Sequence, residues 1–138
     1  MNTTSDKDTR DYANCGEAVE SVAAVSVESG QTILEAARIM ALRGIGCLPV
    51  LDHGKLAGVV SERDIIAKIV AAGLDPGTAT VDLAMTVHPK TVEHSQPLAD
   101  AFNLMNDYGF RHVPVMLNGA VFGVISAKSL LRLLKEPR

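Results

Sequence analysis

The strongest constraint on this chain is an internal repeat with a fixed offset of 65 residues. Residues 48–64 have the sequence LPVLDHGKLAGVVSERD, and residues 113–129 repeat the pattern as VPVMLNGAVFGVISAKS without insertion or deletion. The identical positions include the pairs Pro49/Pro114, Gly54/Gly119, Gly58/Gly123 and Ser61/Ser126. Asp64 breaks the symmetry, because Ser129 stands at the equivalent position. A repeat this short cannot bury its own apolar faces, so the two copies are predicted to complete a core together.

Each copy carries the local signals of a strand, a helix, a two-stranded hairpin and a second helix. Thr32 and Glu35 form a capping-box pattern at the start of the first helix, and Asn118-Gly119 is a strong hairpin turn. Apolar residues at helical spacing predict core-facing stripes, namely Ile33, Ala36, Ala37 and Met40 in the first copy and Leu98, Ala101, Phe102 and Met105 in the second. The predicted fold class is α/β (α+β), with two β-α-β-β-α repeats packed about a pseudo-two-fold axis.

The repeat divides the chain into four predicted segments. Residues 1–12 are polar and lack periodicity, which predicts a disordered tail. Repeat 1 spans residues 13–73 and repeat 2 spans residues 81–138. Residues 74–80 are rich in turn-forming residues and are predicted to link the two repeats.

Composition and charge argue against several functional classes. The chain is 47% hydrophobic and 21% charged, with a net charge of -3. These values are ordinary for a globular domain and argue against a general nucleic-acid binder. No apolar run approaches the roughly 20 residues that a membrane span needs, and the polar N-terminus lacks a secretory signal. We therefore expect a cytoplasmic protein with no membrane and no nucleic-acid partner.

The side chains that carry chemistry do not form a catalytic or metal-binding pattern in the sequence. Cys15 and Cys47 are far apart and outside any C-x-x-C pair. The histidines at positions 53, 88 and 94 lack the helical spacing of metal ligands. No Ser-His-Asp or Cys-His arrangement has a supporting context. The sequence therefore predicts a protein that is not an enzyme and that has no metal and no catalytic cofactor.

Ser61 and Asp64 have two interpretations when they are taken by themselves. The Ser-x-x-Asp pattern is typical of residues that cap the helix they begin. Alternatively, a helix N-terminus offers unpaired N–H groups to an anion, and a carboxylate one turn in can accept both hydroxyls of a ribose. The two roles do not exclude each other.

With the repeat in place, the chain resembles a tandem cystathionine-β-synthase (CBS) domain pair, also called a Bateman module, in its stand-alone form. The matching motifs are LPV and VPV in the second strand of each copy, GVVSERD after the third strand of the first copy, RHVPV at residues 111–115 and DLAMT at residues 82–86. The similarity extends from about residue 13 to the C-terminus.

The resemblance implies a regulatory function. CBS pairs bind an adenosine-containing ligand, such as AMP, ADP, ATP, NAD or S-adenosylmethionine, in clefts between the repeats. AMP, ATP or NAD would then be a regulatory ligand and not a catalytic cofactor. The resemblance further implies a homodimer and signal transduction to a regulated partner protein. The alternative from another class is a ligand-free dimerisation or scaffold module.

Carried over residue by residue, the resemblance implies a first cleft that contains a carboxylate. Ser61 would face the phosphate of the nucleotide, and Asp64 would face its ribose. Backbone groups would line the adenine pocket at Ala23, Val25, Ile45, Gly46 and Cys47. The start of the first copy departs from the family pattern, because Glu20-Ser21 stands where the second copy has Met85-Thr86.

The second cleft is predicted to be degenerate. Ser126 is kept there, but Ser129 has no carboxylate that could hold a ribose diol. Arginine, lysine and histidine side chains near the two clefts are candidates for phosphate contacts, and they are Arg63, Lys90, Arg111, His112 and Lys128. Arg63 and Lys128 also fit a solvated basic rim, and His112 also fits a hydrogen-bonded strand residue. We therefore predict one nucleotide site in the first cleft.

Overall fold

The computed structural model describes residues 14–22 and 25–135, and the predicted tail at residues 1–12 lies outside these ranges. In chain order the strands are β1 (Ser21–Val22), β2 (Val27–Glu28), β3 (Cys47–Asp52), β4 (Lys55–Ser61), β5 (Thr86–Val87), β6 (Val92–Glu93), β7 (His112–Leu117) and β8 (Ala120–Ser126). The α-helices are α1 (Ile33–Arg43), α2 (Glu62–Ile65), α3 (Leu98–Tyr108) and α4 (Ala127–Lys135). The chain also forms 3₁₀ helices at Cys15–Ala18 and Val81–Leu83 and a π-helix at Ile66–Val70.

Packing divides the described chain into two compact units. We call residues 25–89 with 119–121 the Asp64 unit, and residues 14–22, 90–118 and 122–135 the Ser129 unit. Each unit combines a small sheet with helices and has its own cluster of buried apolar residues. The mixed α/β fold class predicted from the repeat is therefore confirmed.

The sheet of the Asp64 unit has the strand order β2-β3-β4-β5. Strands β2 and β3 are parallel, as expected for two strands joined by helix α1. Strands β3 and β4 form an antiparallel hairpin whose turn residues, His53 and Gly54, have φ angles of 52° and 81°. Both angles are positive, which is the backbone that a tight two-residue hairpin turn requires.

The sheet of the Ser129 unit has the order β1-β8-β7-β6 and repeats this design. Strands β6 and β7 are parallel, and the turn between β7 and β8 lies at Asn118 and Gly119, with φ angles of 52° and 82°. The hairpin predicted from this dipeptide is thereby confirmed. The corresponding strands of the two sheets are β2 and β6, β3 and β7, and β4 and β8.

One edge strand of each sheet comes from the start of the other repeat in the sequence. Strand β5 pairs antiparallel with β4, with Thr86 opposite Val59 and Val87 opposite Gly58. Strand β1 pairs in the same way with β8. The packing units and the sequence repeats are therefore two different divisions of the chain.

Local capping signals explain where α1 begins and ends. Thr32 accepts a hydrogen bond from the backbone N–H of Glu35, whose side chain in turn accepts one from the backbone N–H of Thr32. This is the capping box that the sequence predicts. At the other end, Gly44 adopts a left-handed conformation with a φ angle of 66°, and glycine does so without steric cost.

The helix that follows β4 changes its hydrogen-bonding pattern after one turn. It begins as α2, continues as a π-helix, and includes a bond from Ala71 N–H to the carbonyl of Ile66. Such wide turns are rare and recur at functional positions. No helix in the described ranges is long and apolar enough to cross a membrane.

The predicted apolar stripes form the core of each unit, with two corrections. Ala37 was predicted to face the core, but it is only partly buried and lies outside the buried cluster. Ile33, Ala36 and Met40 are buried in the Asp64 unit, and Leu98, Ala101 and Met105 are buried in the Ser129 unit. Phe102 was predicted to face the core, and that prediction is wrong, because its residue surface is 50% exposed. One residue step turns the helix by about 100°, so the position after Ala101 lies at the edge of the buried face.

Candidate functional site

Ser61 and Asp64 form a closed capping box at the start of α2. One carboxylate oxygen of Asp64, Oδ2, accepts from the backbone N–H and from the hydroxyl of Ser61, both at 3.0 Å. The hydroxyl oxygen of Ser61 lies 3.1 Å from the backbone N–H of Asp64, which donates to it. The capping interpretation is therefore confirmed. These contacts also fix the orientation of the carboxylate that the sequence assigns to ribose binding.

The structure brings the Gly46–Cys47 backbone next to this capping box. Gly46 accepts a hydrogen bond at 2.9 Å from the backbone N–H of Glu62, the first residue of α2. Cys47 lies directly opposite Ser61 in the β3–β4 pairing. Four of the predicted binding positions, Gly46, Cys47, Ser61 and Asp64, thus lie at one end of one hairpin.

The helix start offers few free N–H groups to an anion. The backbone N–H groups of Ser61, Glu62 and Asp64 all donate within the Asp64 unit. The unpaired donors that would make a helix N-terminus an anion site are thus largely used. The geometry therefore favours recognition through the Asp64 carboxylate over recognition of phosphate by the backbone.

Sequence reasoning missed a contact to the other oxygen of the Asp64 carboxylate. Asp64 Oδ1 lies 3.4 Å from the ammonium nitrogen of Lys68, in a pair whose side chains are 17% and 45% exposed. The Lys68 ammonium also donates to the carbonyl oxygen of Ala84 at 3.1 Å. The available signal was the Asp-x-x-x-Lys spacing, which places the two side chains on one helix face.

The remaining predicted residues of the Asp64 unit differ in exposure. Val25 and Ile45 belong to the apolar core, with 6% and 7% of their surface exposed, so only their backbone groups fit the predicted adenine contact. Arg63 is exposed on α2, as expected for a solvated cation. Ala23 lies outside the described residues.

Glu62 is a second residue that sequence reasoning missed. A Cβ atom built on Gly46 would lie 2.6 Å from Glu62 Oε1, so this glycine leaves room for the glutamate side chain. In the second copy Arg111 and Ala127 occupy the equivalent positions, so the large and small side chains are exchanged. Comparing the two copies position by position could have revealed this exchange.

The capping box of the second copy is closed by two serines. Ser129 accepts from the backbone N–H of Ser126 at 3.0 Å, and its own N–H donates to the Ser126 hydroxyl at 2.9 Å. The Ser129 hydroxyl lies 2.9 Å from the carbonyl oxygen of Ala18 and 3.0 Å from that of Ser126, so its single hydrogen serves these two acceptors. Both serines are buried, with 4% and 5% of their surface exposed. Ser129 therefore holds the N-terminal 3₁₀ helix in place.

The predicted cationic residues of the Ser129 unit differ in exposure and in their contacts. Arg111 and Lys128 are exposed, and His112 is half-buried. The carbonyl of Arg111 accepts from the N–H of Ala127 at 2.8 Å, as its counterpart Gly46 does in the first copy. Lys90 places its ammonium 5.3 Å from the centre of the Tyr108 ring, a cation–π distance.

Cys15 is held in a form that does not suit metal binding. Its thiol is buried and donates to the carbonyl oxygen of Pro97 at 3.4 Å. Burial raises the pKa of this thiol from 9.0 to about 11, whereas a metal ligand must be a thiolate. Across residues 14–22 and 25–135, no three His, Cys, Asp or Glu side chains are grouped in a way that could hold a metal ion.

The Ser129 unit contains a shallow cavity of about 280 Å³ along α3. Its lining is rich in oxygen-bearing side chains, among them Gln96, Asp100 and Asp107. The amide nitrogen of Gln96 donates to Asp100 at 2.8 Å, so part of this polarity is satisfied internally. None of the binding residues predicted from the sequence lines this cavity.

Comparison with known proteins agrees with the repeat and with the fold. The model of the CBS domain family matches the chain twice, at residues 18–71 and 80–136. The chain therefore belongs to the CBS domain family. One relative is Hypoxic response protein 1 of Mycobacterium tuberculosis, which is 31% identical over 128 residues, or 92% of this chain and 85% of the relative.

Solved structures of CBS proteins share this fold. Hypoxic Response Protein I, whose crystal structure contains two coordinated zinc ions, is 28% identical with a TM-score of 0.76, over 91% of this chain and 100% of that one. The CBS domain pair of protein MJ0100 was crystallised in complex with 5′-methylthioadenosine and S-adenosyl-L-methionine. It is 26% identical with a TM-score of 0.77, over 89% of this chain and 96% of that one.

Proposed function

We propose that this chain is a non-catalytic regulatory module that binds an adenosine-containing ligand through the Asp64 carboxylate. The observation that carries the proposal is that the two carboxylate oxygens of Asp64 have different partners. Oδ2 is engaged by Ser61, and Oδ1 lies outside the capping box. A carboxylate fixed in this way can accept the hydroxyl hydrogens of a ribose without first losing side-chain entropy.

The choice of ligand class is supported by the relative solved with S-adenosyl-L-methionine and 5′-methylthioadenosine. Both molecules contain adenosine, as do AMP, ADP, ATP and NAD. In this proposal the backbone at Val25, Ile45, Gly46 and Cys47 contacts the adenine. Ala23 completes the same set in the sequence-based assignment.

Phosphate groups, where the ligand has them, would be met by side chains and not by the start of α2, since the N–H groups of Ser61, Glu62 and Asp64 are already paired. The side chains proposed for this role are Arg63, Lys90, Arg111, His112 and Lys128. Arginine has a planar fork that matches phosphate oxygens, and lysine adds a flexible point charge.

The proposal assigns one ribose-binding carboxylate to each chain. Ser129 cannot replace Asp64, because its hydroxyl hydrogen is directed at two carbonyl oxygens inside the Ser129 unit. Ser126 is likewise buried and bonded to Ser129. We therefore expect a stoichiometry of one strongly bound ligand per chain.

A regulatory role requires a second protein that responds to ligand binding. The proposal includes a homodimer, a cytoplasmic location and a regulated partner that prefers either the ligand-bound or the ligand-free form. Linkage then requires the partner to change the affinity for the ligand by the same factor by which the ligand changes the affinity for the partner.

Isothermal titration of the full chain with AMP, ADP, ATP, NAD and S-adenosylmethionine tests the proposal. Asp64→Asn keeps an oxygen acceptor for the cap but loses the charge, so it should weaken binding about tenfold or more. Asp52→Asn is the matched control, because Asp52 is the exposed last residue of β3. A bound ligand at about 100 times its dissociation constant should also stabilise the fold by about 2.7 kcal/mol.

The rival function is a dimerisation or scaffold module without a ligand. It predicts that none of the five compounds binds to protein freed of carried-over nucleotide. It also predicts that Asp64→Asn changes only the stability of the fold. That pair of results would replace the proposal by its rival.

A further inference from the structure

Lys68 connects the Asp64 carboxylate to a different part of the chain. Its ammonium lies 3.4 Å from Asp64 Oδ1 and 3.1 Å from the carbonyl oxygen of Ala84. All three residues belong to the Asp64 unit. One charged group is therefore shared between the proposed ligand-binding oxygen and a backbone carbonyl 16 residues further along the chain.

The position of Lys68 depends on the unusual helix that carries it. Asp64 lies in α2, and Lys68 lies in the π-helix that follows. This π-helix buries Ile69 completely and leaves Lys68 on its solvent side. The buried isoleucine thus anchors the turn from which the lysine reaches both of its partners.

Ala84 stands at the start of the path to β5. It ends the 3₁₀ helix Val81–Leu83, and two residues later Thr86 enters β5, which has only two residues. A strand this short has little pairing of its own. Contacts on its flanks therefore have a large share in holding it against β4.

We propose that Lys68 couples ligand binding at Asp64 to the ordering of residues 84–87. This inference rests on the proposed function, because it assumes that ligand hydroxyls bind at Asp64. A hydroxyl that donates to Oδ1 competes with the ammonium for that oxygen. The ammonium then interacts more strongly with the Ala84 carbonyl, which is its other acceptor. Ligand binding therefore tightens residues 84–87, at the start of repeat 2.

Hydrogen exchange of the full chain, with and without saturating AMP or S-adenosylmethionine, tests this coupling. In the wild type the ligand should slow exchange of the residue 84–87 amides about fivefold, a typical size for coupling between two sites. Lys68→Met keeps the apolar stem and removes the charge. It should still bind ligand in a titration but lose the slowing at residues 84–87. Lys68→Arg keeps a cation and should retain part of the effect.

Lys55→Met is the matched control, since Lys55 is an exposed lysine of β4 in the same unit. It should behave as the wild type does. An equal slowing at residues 84–87 in the wild type and in Lys68→Met would overturn the role of Lys68. If the wild type binds ligand but its hydrogen exchange at residues 84–87 does not change, the coupling is overturned and the proposed function is not. Absence of binding in the wild type would overturn the proposed function, and the coupling with it.

Discussion

The hydroxyl of Ser129 lies 2.9 Å from the carbonyl oxygen of Ala18, which precedes it by 111 residues. At the equivalent position of the first copy, Asp64 interacts with Lys68. A single difference between the two copies thus places the carboxylate that we propose as a ligand contact in the first copy, and a hydroxyl that fastens the N-terminal 3₁₀ helix to α4 in the second. The difference is testable in both directions.

Removal of the Ser129 hydroxyl should destabilise the fold. Ser129→Ala leaves the Ser126 N–H and the Ala18 carbonyl without this partner inside the protein, which should cost about 1–3 kcal/mol in the free energy of unfolding. Ser129→Asp should cost more, because a carboxylate is only an acceptor and would face the Ala18 carbonyl. Urea denaturation measures both variants, with exposed Lys128→Ala as the control that should stay within about 0.5 kcal/mol. A fully stable Ser129→Asp that gains a second ligand site would contradict this explanation.

A methyl group at Gly58 should disturb the pairing of β4 with β5. A Cβ atom there would lie 2.5 Å from the carbonyl oxygen of Thr86, which is backbone and cannot move aside cheaply. We expect Gly58→Ala to lower the free energy of unfolding by about 1–3 kcal/mol. Gly77→Ala is the control, since its Cβ would lie 3.4 Å from Asp75 Oδ1, an ordinary contact. Equal melting temperatures for the two variants would disprove the close approach.

Asp82 should make the stability of the Asp64 unit depend on pH. Its carboxylate accepts from the Ser29 hydroxyl at 2.5 Å and from the Gly30 N–H at 2.8 Å, and these bonds lower the pKa of Asp82. A lowered pKa contributes stability above the ordinary value of 3.8 and loses it as the pH falls through the lower folded value. Asp82→Asn should therefore differ most from the wild type at pH 7 and progressively less below about pH 4. Urea denaturation of both proteins at pH 7 and below about pH 4 checks this. A difference in the free energy of unfolding that does not change with pH would contradict it.

Cys15 should react slowly with alkylating agents in the folded protein. The pKa of its thiol is raised to about 11 by burial, so at pH 8 the thiolate fraction is about a hundredfold below that of the unfolded chain. Iodoacetamide labelling followed by peptide mass spectrometry measures this residue separately from Cys47. The denatured protein is the control. Labelling of folded Cys15 at the denatured rate would show that the thiol is accessible and ionised.

The features that the sequence predicted well are those controlled by neighbouring residues. The α1 capping box and the β7–β8 hairpin depend on side chains within three positions of each other, such as Thr32 with Glu35 and Asn118 with Gly119. Because the same local signals recur 65 residues later in the chain, they also predicted the fold and the family. Phe102 was misplaced because periodicity marks the centre of a buried face more clearly than its edge.

The parts that could not be predicted depend on tertiary contacts. Strands β1 and β5 have two residues each, which is too short for an alternating pattern. The contact between Lys68 and Ala84 joins a helix to a segment whose position no local signal specifies. The spacing of Asp64 and Lys68 was visible in the sequence, but the second acceptor of the Lys68 ammonium, the Ala84 carbonyl, was not.

Because β1 and β5 complete sheets whose other strands come from the opposite repeat, anyone who cuts or grafts this chain must choose the boundary with care. A fragment that ends at residue 73 keeps β2, β3 and β4 but loses β5. A fragment of residues 25–89 contains all four strands of that sheet. The two copies thus exchange their first strands, and transplanting one copy into another protein requires taking along the leading segment of its neighbour.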